Sequence, residues 1–79
     1  MHTWGVVGYQ AVGDADPIKA FHVRAAEPGD AVAIVKRSSE ALGLGEVLAY
    51  ARLRVDTPGR MEILFAGPAP VGLGRPKDK

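Results

Sequence analysis

The chain contains no cysteine, and this absence excludes two common ways of stabilising a small domain. Without thiols, neither a disulfide framework nor a thiolate zinc site can form. A chain of 79 residues has room for one domain with one small core, so packing or self-association must supply the stability. The lack of cysteine is compatible with a reducing compartment, and we expect a cytoplasmic protein.

Long hydrophobic runs are missing as well. No apolar stretch approaches the ~20 residues that a membrane-spanning helix needs. The N-terminal residues Met1-His2-Thr3-Trp4-Gly5 lack the basic segment and the apolar core of a signal peptide. The sequence therefore predicts a protein without a membrane partner.

An excess of charge of one sign is also absent. The formal net charge is +1, so no global field attracts nucleic acid. Basic residues gather at the end of the chain, at Arg75, Lys77 and Lys79, whereas residues 1–74 are close to neutral. Because glycine and proline dominate the stretch after Ala66, we expect residues 1–66 to form a single domain and residues 67–79 a basic, flexible tail.

The middle of the chain changes from a strand pattern to a helix pattern. Residues 18–26 alternate between apolar and polar side chains, which is typical of a strand with one buried face. Pro28 then favours the first turn of a helix, and apolar residues recur at three- and four-residue steps as far as Leu42. Gly43 suits the position after a helix end, since it can adopt positive φ. We predict a helix over residues 28–42.

Strand patterns also cover residues 4–12, 46–56 and 61–66, with turn-forming residues between them. The element order is therefore β-β-α-β-β, two hairpins joined by a helical crossover that packs on one side of the sheet. We predict an α+β fold with a four-stranded antiparallel sheet in the order 2-1-3-4. One helix covers one sheet face, and the other face is left open.

The open face carries the candidate binding site. Alternation along the strands assigns the following residues to the helix-covered face: Phe21, Val23, Val47, Ala51, Leu53, Val55, Ile63 and Phe65. The partner-binding residues predicted on the open face are His22, Arg24, Leu48, Tyr50, Arg52, Arg54 and Leu64. Tyrosine beside arginine suits a base-stacking platform, and the same residue types anchor protein–protein contacts. The third interpretation is that the face binds no partner and is simply solvated, with arginine stems covering its apolar surface.

Acidic residues decide between the two kinds of partner. Glu46, Asp56 and Glu62 share the open face in this assignment and repel phosphates. A protein partner is therefore favoured over nucleic acid, and a second copy of the chain could cover the same face as a homodimer. The alternative is a small nucleic-acid-binding module that uses the Arg/Tyr face and the basic tail.

Catalytic and cofactor signatures are weak. Ser38 and Ser39 have no activating base, and the loop of Asp14 and Asp16 lacks the further oxygens of a calcium site. Gly43-Leu44-Gly45 follows a helix, whereas a dinucleotide fingerprint follows a strand. We predict a protein that is not an enzyme and that has no cofactor and no metal site.

Residues 18–55 resemble a pattern of small phage and mobile-element proteins. The runs that carry the resemblance are Phe21-His22-Val23-Arg24-Ala25, Asp30-Ala31-Val32-Ala33-Ile34-Val35-Lys36 and Glu46-Val47-Leu48-Ala49-Tyr50. Several anti-CRISPR proteins are built from such a strand, acidic turn and alanine-rich helix. The resemblance implies a stoichiometric inhibitor whose partner is a subunit of a CRISPR effector. The nearly neutral body favours occlusion of a protein surface over mimicry of DNA.

Overall fold

The computed structural model describes residues 1–76. The elements in chain order are β1 (His2–Tyr9), β2 (Lys19–Ala25), α1 (Pro28–Arg37), a 3-10 turn (Ser39–Ala41), β3 (Glu46–Asp56) and β4 (Glu62–Pro68). The strands form one four-stranded sheet in which every pairing is antiparallel. The predicted α+β class, with one helix against one antiparallel sheet, is confirmed.

The strand order is β3-β1-β2-β4, so β1 pairs with both β2 and β3, as predicted. The predicted order 2-1-3-4 placed β4 beside β3, whereas β4 lies beside β2 at the opposite edge. The chain after β3 therefore crosses the end of the sheet, where the side chain of Arg24 holds it. Arg24 donates hydrogen bonds to the Thr57 hydroxyl at 3.0 Å, the Arg60 carbonyl at 3.4 Å and the Glu62 carboxylate at 2.9 Å. These bonds favour the crossing over a tight hairpin.

Helix α1 is shorter than its sequence pattern predicts. It ends at Arg37, because Ser38 adopts an extended backbone and donates its hydroxyl to the carbonyl of Val35 at 2.7 Å. A serine that bonds a preceding carbonyl in this way competes with the helical ladder. Gly43 has the predicted positive φ, 83°, but it follows the 3-10 turn and not α1.

The core lies between α1 and one face of the sheet. Its buried members are Val6, Phe21, Val23, Ala25, Ala31, Val35 and Val47. Ile63 packs against this cluster, so four of the predicted helix-facing residues, including Phe21, Val23 and Val47, lie where the alternation placed them.

Two β-bulges change which residues face the helix. The bulges lie in β3, opposite the step from Gly5 to Val6, and in β4, opposite the step from His22 to Val23. Each bulge shifts the alternation by one residue. The predicted helix-facing residues that lie on the open face instead are Ala51, Leu53 and Phe65. The prediction for the side chain of Val55 lies outside what the structure describes.

Candidate functional site

The open sheet face has a small, apolar floor. Gly5, Val7 and Ala20 lie on it, and Tyr9 stands at one end. Val7 is 2% exposed and Tyr9 is fully buried, although no helix covers this side. The cover is the C-terminal segment 69–76, which we call the strap.

The backbone of the strap is held by two tyrosine hydroxyls. Tyr50 donates a hydrogen bond of 2.7 Å to the carbonyl of Leu73, and Tyr9 donates one of 2.9 Å to the carbonyl of Gly74. The pKa of Tyr9 is raised, mainly because burial disfavours the phenolate. The Tyr9 hydroxyl therefore stays protonated at neutral pH and remains available as a donor.

The side chain of Arg75 binds the C-terminal end of the strap to the start of β3 and to the β1–β2 loop. Its guanidinium donates hydrogen bonds of 3.0 and 2.8 Å to the two carboxylate oxygens of Glu46 and one of 2.9 Å to the carbonyl of Asp14. The Arg75 Cζ atom also lies 4.8 Å from the centre of the Tyr9 ring. The hydrogen bonds that Glu46 accepts from Arg75 and from the Gly13 amide lower the pKa of its carboxyl group.

The strap falls within the segment predicted to be a flexible tail. β4 extends to Pro68, two residues past the predicted domain end at Ala66, and the strap continues directly from it. Gly72 and Gly74 have φ of 80° and 73°, a region that favours glycine, so the composition that suggested flexibility also permits this path. The mobility of residues 67–79 stays a prediction, and residues 77–79 lie outside the described part.

A narrow cleft remains between the strap and the sheet. Its volume is about 190 Å³. The residues that line it include Gly5, Ala20, Tyr50, Leu53, Pro70 and Leu73. The lining is predominantly apolar, so the cleft suits the side chain of an apolar residue.

An exposed aromatic pair lies beside this cleft. The rings of His22 and Phe65 have centroids 5.2 Å apart, and Phe65 is 49% exposed. The Phe65 ring lies over the backbone of Gly67, where an added Cβ would come within 2.8 Å of the ring. Leu64, in the β4 bulge, is 41% exposed. We call His22, Leu64 and Phe65 the aromatic patch.

The structure does not gather the predicted partner-binding residues on one surface. His22 and Leu64 are exposed in the aromatic patch, while Tyr50 is half-buried against the strap. Arg24 has a side chain only 12% exposed and holds the β3–β4 crossing. Leu48 is half-buried on edge strand β3, and Arg54 is exposed there. Arg52 is also exposed, but it pairs with Trp4 on the helix side of the sheet, so its predicted place on the open face is wrong. Their role in binding stays a prediction.

Phe65 and Leu73 belong to the site although the sequence did not point to them, and Arg75 belongs to it although the sequence placed it in a flexible basic tail. Strict alternation assigned Phe65 to the core, and only the β4 bulge turns it outward. Leu73 and Arg75 are isolated among glycine and proline, so no periodic pattern marks them. The pairing of a single apolar residue with a nearby arginine is the signal that could have found them.

The candidate catalytic and metal-binding residues have structural partners. The Ser38 hydroxyl bonds a helix carbonyl, as described above. Asp14 accepts a hydrogen bond of 2.9 Å from the Ala11 amide, and Asp16 accepts one of 3.2 Å from the Gly74 amide. These aspartates therefore stabilise the β1–β2 loop and the strap.

His2 and Asp56 form an exposed pair at the other end of the sheet. The Nδ1 atom of His2 lies 3.1 Å from the Asp56 carboxylate, and this contact lowers the pKa of Asp56. Arg52 donates a hydrogen bond of 3.3 Å to the same carboxylate. The pair joins the start of β1 to the end of β3.

Within residues 1–76, no helix is both long enough and apolar enough to cross a membrane. No protein-family model matches the chain, and neither a curated protein nor a solved structure matches it.

Proposed function

We propose that this chain is a small non-enzymatic protein-binding module whose contact surface is the aromatic patch together with the cleft beside it. The observation that carries the proposal is the exposed His22–Phe65 pair at the rim of an apolar cleft. Aromatic side chains next to a pocket are the usual anchors of protein–protein contacts. Phe65 is supported from below by Gly67, so its ring loses little freedom on binding.

Ion pairing supports a protein partner over nucleic acid. Three ion pairs join Arg24 to Glu62, Arg52 to Asp56 and Arg75 to Glu46. A phosphate backbone could recruit these guanidinium groups only by displacing their carboxylates, which would then repel it. The nucleic-acid alternative therefore has weaker support from the described residues.

The resemblance to anti-CRISPR proteins gives this proposal its more specific form. In that form the module is a cytoplasmic phage-type inhibitor, and the aromatic patch occludes a protein surface of a CRISPR effector. Self-association is the other way to cover the patch, because a small domain gains stability by burying exposed apolar side chains. Both forms use the same residues and are distinguished by the partner.

Phe65→Ala is the first test, with Leu42→Ala as the matched control because Leu42 is 81% exposed and lies outside the patch. Sedimentation velocity over a concentration series measures self-association, and titration against purified CRISPR effector complexes measures inhibitor binding. We expect Phe65→Ala to weaken the observed association by about tenfold or more, as loss of an anchor does. The proposal is wrong if the wild-type chain shows neither association, or if the two variants weaken it equally.

A further inference from the structure

We infer that the sheet face under the strap is a peptide-binding groove, which the chain's own residues 70–75 occupy in this structure. The ligand class is an extended segment in which an apolar residue is followed two positions later by arginine, as in Leu73-Gly74-Arg75. This inference rests on the proposed protein-binding function and names the kind of partner that the face recognises.

The groove binds the backbone of its occupant. The hydroxyls of Tyr50 and Tyr9 donate to two successive carbonyls, those of Leu73 and Gly74. The Gly74 amide in turn donates to the Asp16 carboxylate at 3.2 Å. Donors and acceptors spaced along a sheet are how proteins recognise extended peptides, because main-chain groups are present in every sequence. The face thus supplies affinity for an extended segment of any composition that fits.

Specificity for arginine comes from Glu46 and Tyr9. The guanidinium of Arg75 forms a two-point contact with the Glu46 carboxylate and stacks near the Tyr9 ring. Lysine cannot reproduce this planar, two-point geometry. The Gly13 amide bonds a Glu46 oxygen at 3.0 Å, so a group outside the strap helps to hold the carboxylate in place.

The apolar subsite is incompletely filled. Pro70 and Leu73 line the cleft, yet about 190 Å³ remains between the strap and the small residues Gly5 and Ala20. Unfilled apolar space forfeits dispersion contacts, so the strap is not the tightest possible occupant. A segment with a larger apolar side chain in place of Leu73 gains those contacts.

The covalent connection compensates for this imperfect fit. The strap continues directly from β4, so its effective concentration at the groove is on the order of millimolar. A peptide in solution must compete with that concentration. A partner segment that fills the cleft better can displace the strap, and wild-type protein binds such a segment more weakly than a variant whose strap is released.

A labelled peptide with the sequence of residues 69–76, Ala-Pro-Val-Gly-Leu-Gly-Arg-Pro, tests the groove by fluorescence anisotropy. The full-length variant Arg75→Glu releases the strap through repulsion by Glu46 and leaves the groove residues unchanged. We expect this variant to bind the peptide at least about tenfold more tightly than the wild-type chain. A peptide with serine in place of Leu73 controls for charge alone, and its binding should be at least about tenfold weaker.

A charge exchange tests the arginine subsite. In full-length Glu46→Arg the groove carries the opposite charge, so it should bind a peptide with glutamate in place of Arg75 and reject the original peptide. Circular dichroism verifies that each variant is folded. If a charge variant does not fold, the peptide is titrated into the wild-type chain, and hydrogen exchange is measured at the amides of residues 71–75. The peptide should accelerate this exchange because it displaces the strap.

The outcomes separate the groove from the proposed function. Equal binding of the peptide by the wild type and Arg75→Glu, no binding by either, or no exchange of specificity in Glu46→Arg would overturn the groove. Leu42→Ala should leave peptide binding unchanged, since Leu42 is exposed and lines neither the cleft nor the aromatic patch. Loss of partner binding in Phe65→Ala together with tighter peptide binding by Arg75→Glu supports both proposals, and peptide failure with intact partner binding refutes the groove alone.

Discussion

Arg75 and Glu46 are 29 positions apart, and the guanidinium of the first binds both carboxylate oxygens of the second, at 3.0 and 2.8 Å. Glu46 begins β3 at one edge of the sheet, whereas the strap starts from β4 at the other edge. This ion pair therefore fastens the strap across the full width of the open face. It is partly exposed, so its strength depends on pH and salt.

Acid should open the strap through Glu46. Its pKa is below the ordinary value of 4.5 in the folded protein, so the stabilisation is present above pH 4.5 and is lost as pH falls through the lower folded-state pKa. Hydrogen exchange of residues 71–75 measures the opening. Glu46→Gln is the control: it should show the open behaviour at neutral pH, and the difference from wild type should disappear in acid. A constant difference at every pH contradicts this mechanism.

Removal of two methyl groups from the core should destabilise the fold. Val35 is fully buried between α1 and the sheet, and we expect Val35→Ala to reduce the free energy of unfolding by about 2 kcal/mol. Val12→Ala is the matched control, because Val12 is 77% exposed, and its effect should stay within about 0.5 kcal/mol. Urea denaturation followed by circular dichroism measures both. Equal effects would mean that α1 does not pack on this face.

Arg24 should be structural, although the sequence suggested that it binds a partner. Arg24→Gln loses hydrogen bonds to the β3–β4 crossing, and we expect a loss of about 1–3 kcal/mol in the free energy of unfolding. Arg54→Gln controls for removal of a positive charge on an exposed strand and should change stability little. Thermal melting compares the stabilities of the Arg24→Gln and Arg54→Gln variants. A stable Arg24→Gln variant with weakened partner binding would restore the original interpretation.

Gly45 should not tolerate a side chain. A Cβ added there would come within 2.8 Å of the Gln10 carbonyl oxygen and 3.0 Å of the Ala11 Cα atom, which are backbone atoms. We expect Gly45→Ala to cost about 1–3 kcal/mol in the free energy of unfolding. Gly29→Ala is the matched control, since an added Cβ at Gly29 meets no heavy atom within 4 Å and alanine favours the helix. Chemical denaturation compares the two, and similar stabilities contradict the close packing of Gly45.

Local patterns predicted the elements because each pattern reports which side of one element is buried. The alternation around Phe21 and Val23 identified β2 and its buried face, and Gly43 was recognised by its need for positive φ. The position of β4 was not predictable in this way. It depends on hydrogen bonds from Arg24 to residues far along the chain, and alternation carries no information about such partners.

The site was predicted less completely than the fold, for two physical reasons. A bulge reverses the facing of every residue after it, so Leu53 and Phe65 lie opposite to their assigned side. The strap is held largely through its backbone carbonyls and one arginine. Composition describes side chains, so a segment bound through its main chain looks unstructured when only its sequence is read.

The position of β4 beside β2 also has a kinetic consequence. The β1–β2 pairing closes a short loop between Gly8 and Lys19. The β2–β4 pairing joins Arg24 to Glu62 and closes a much longer loop, which contains the helix and β3. Closing the larger loop costs more chain entropy before any contact repays it. The first hairpin should therefore form early, and the second edge of the sheet should complete last, on roughly the millisecond scale or slower typical of such topologies.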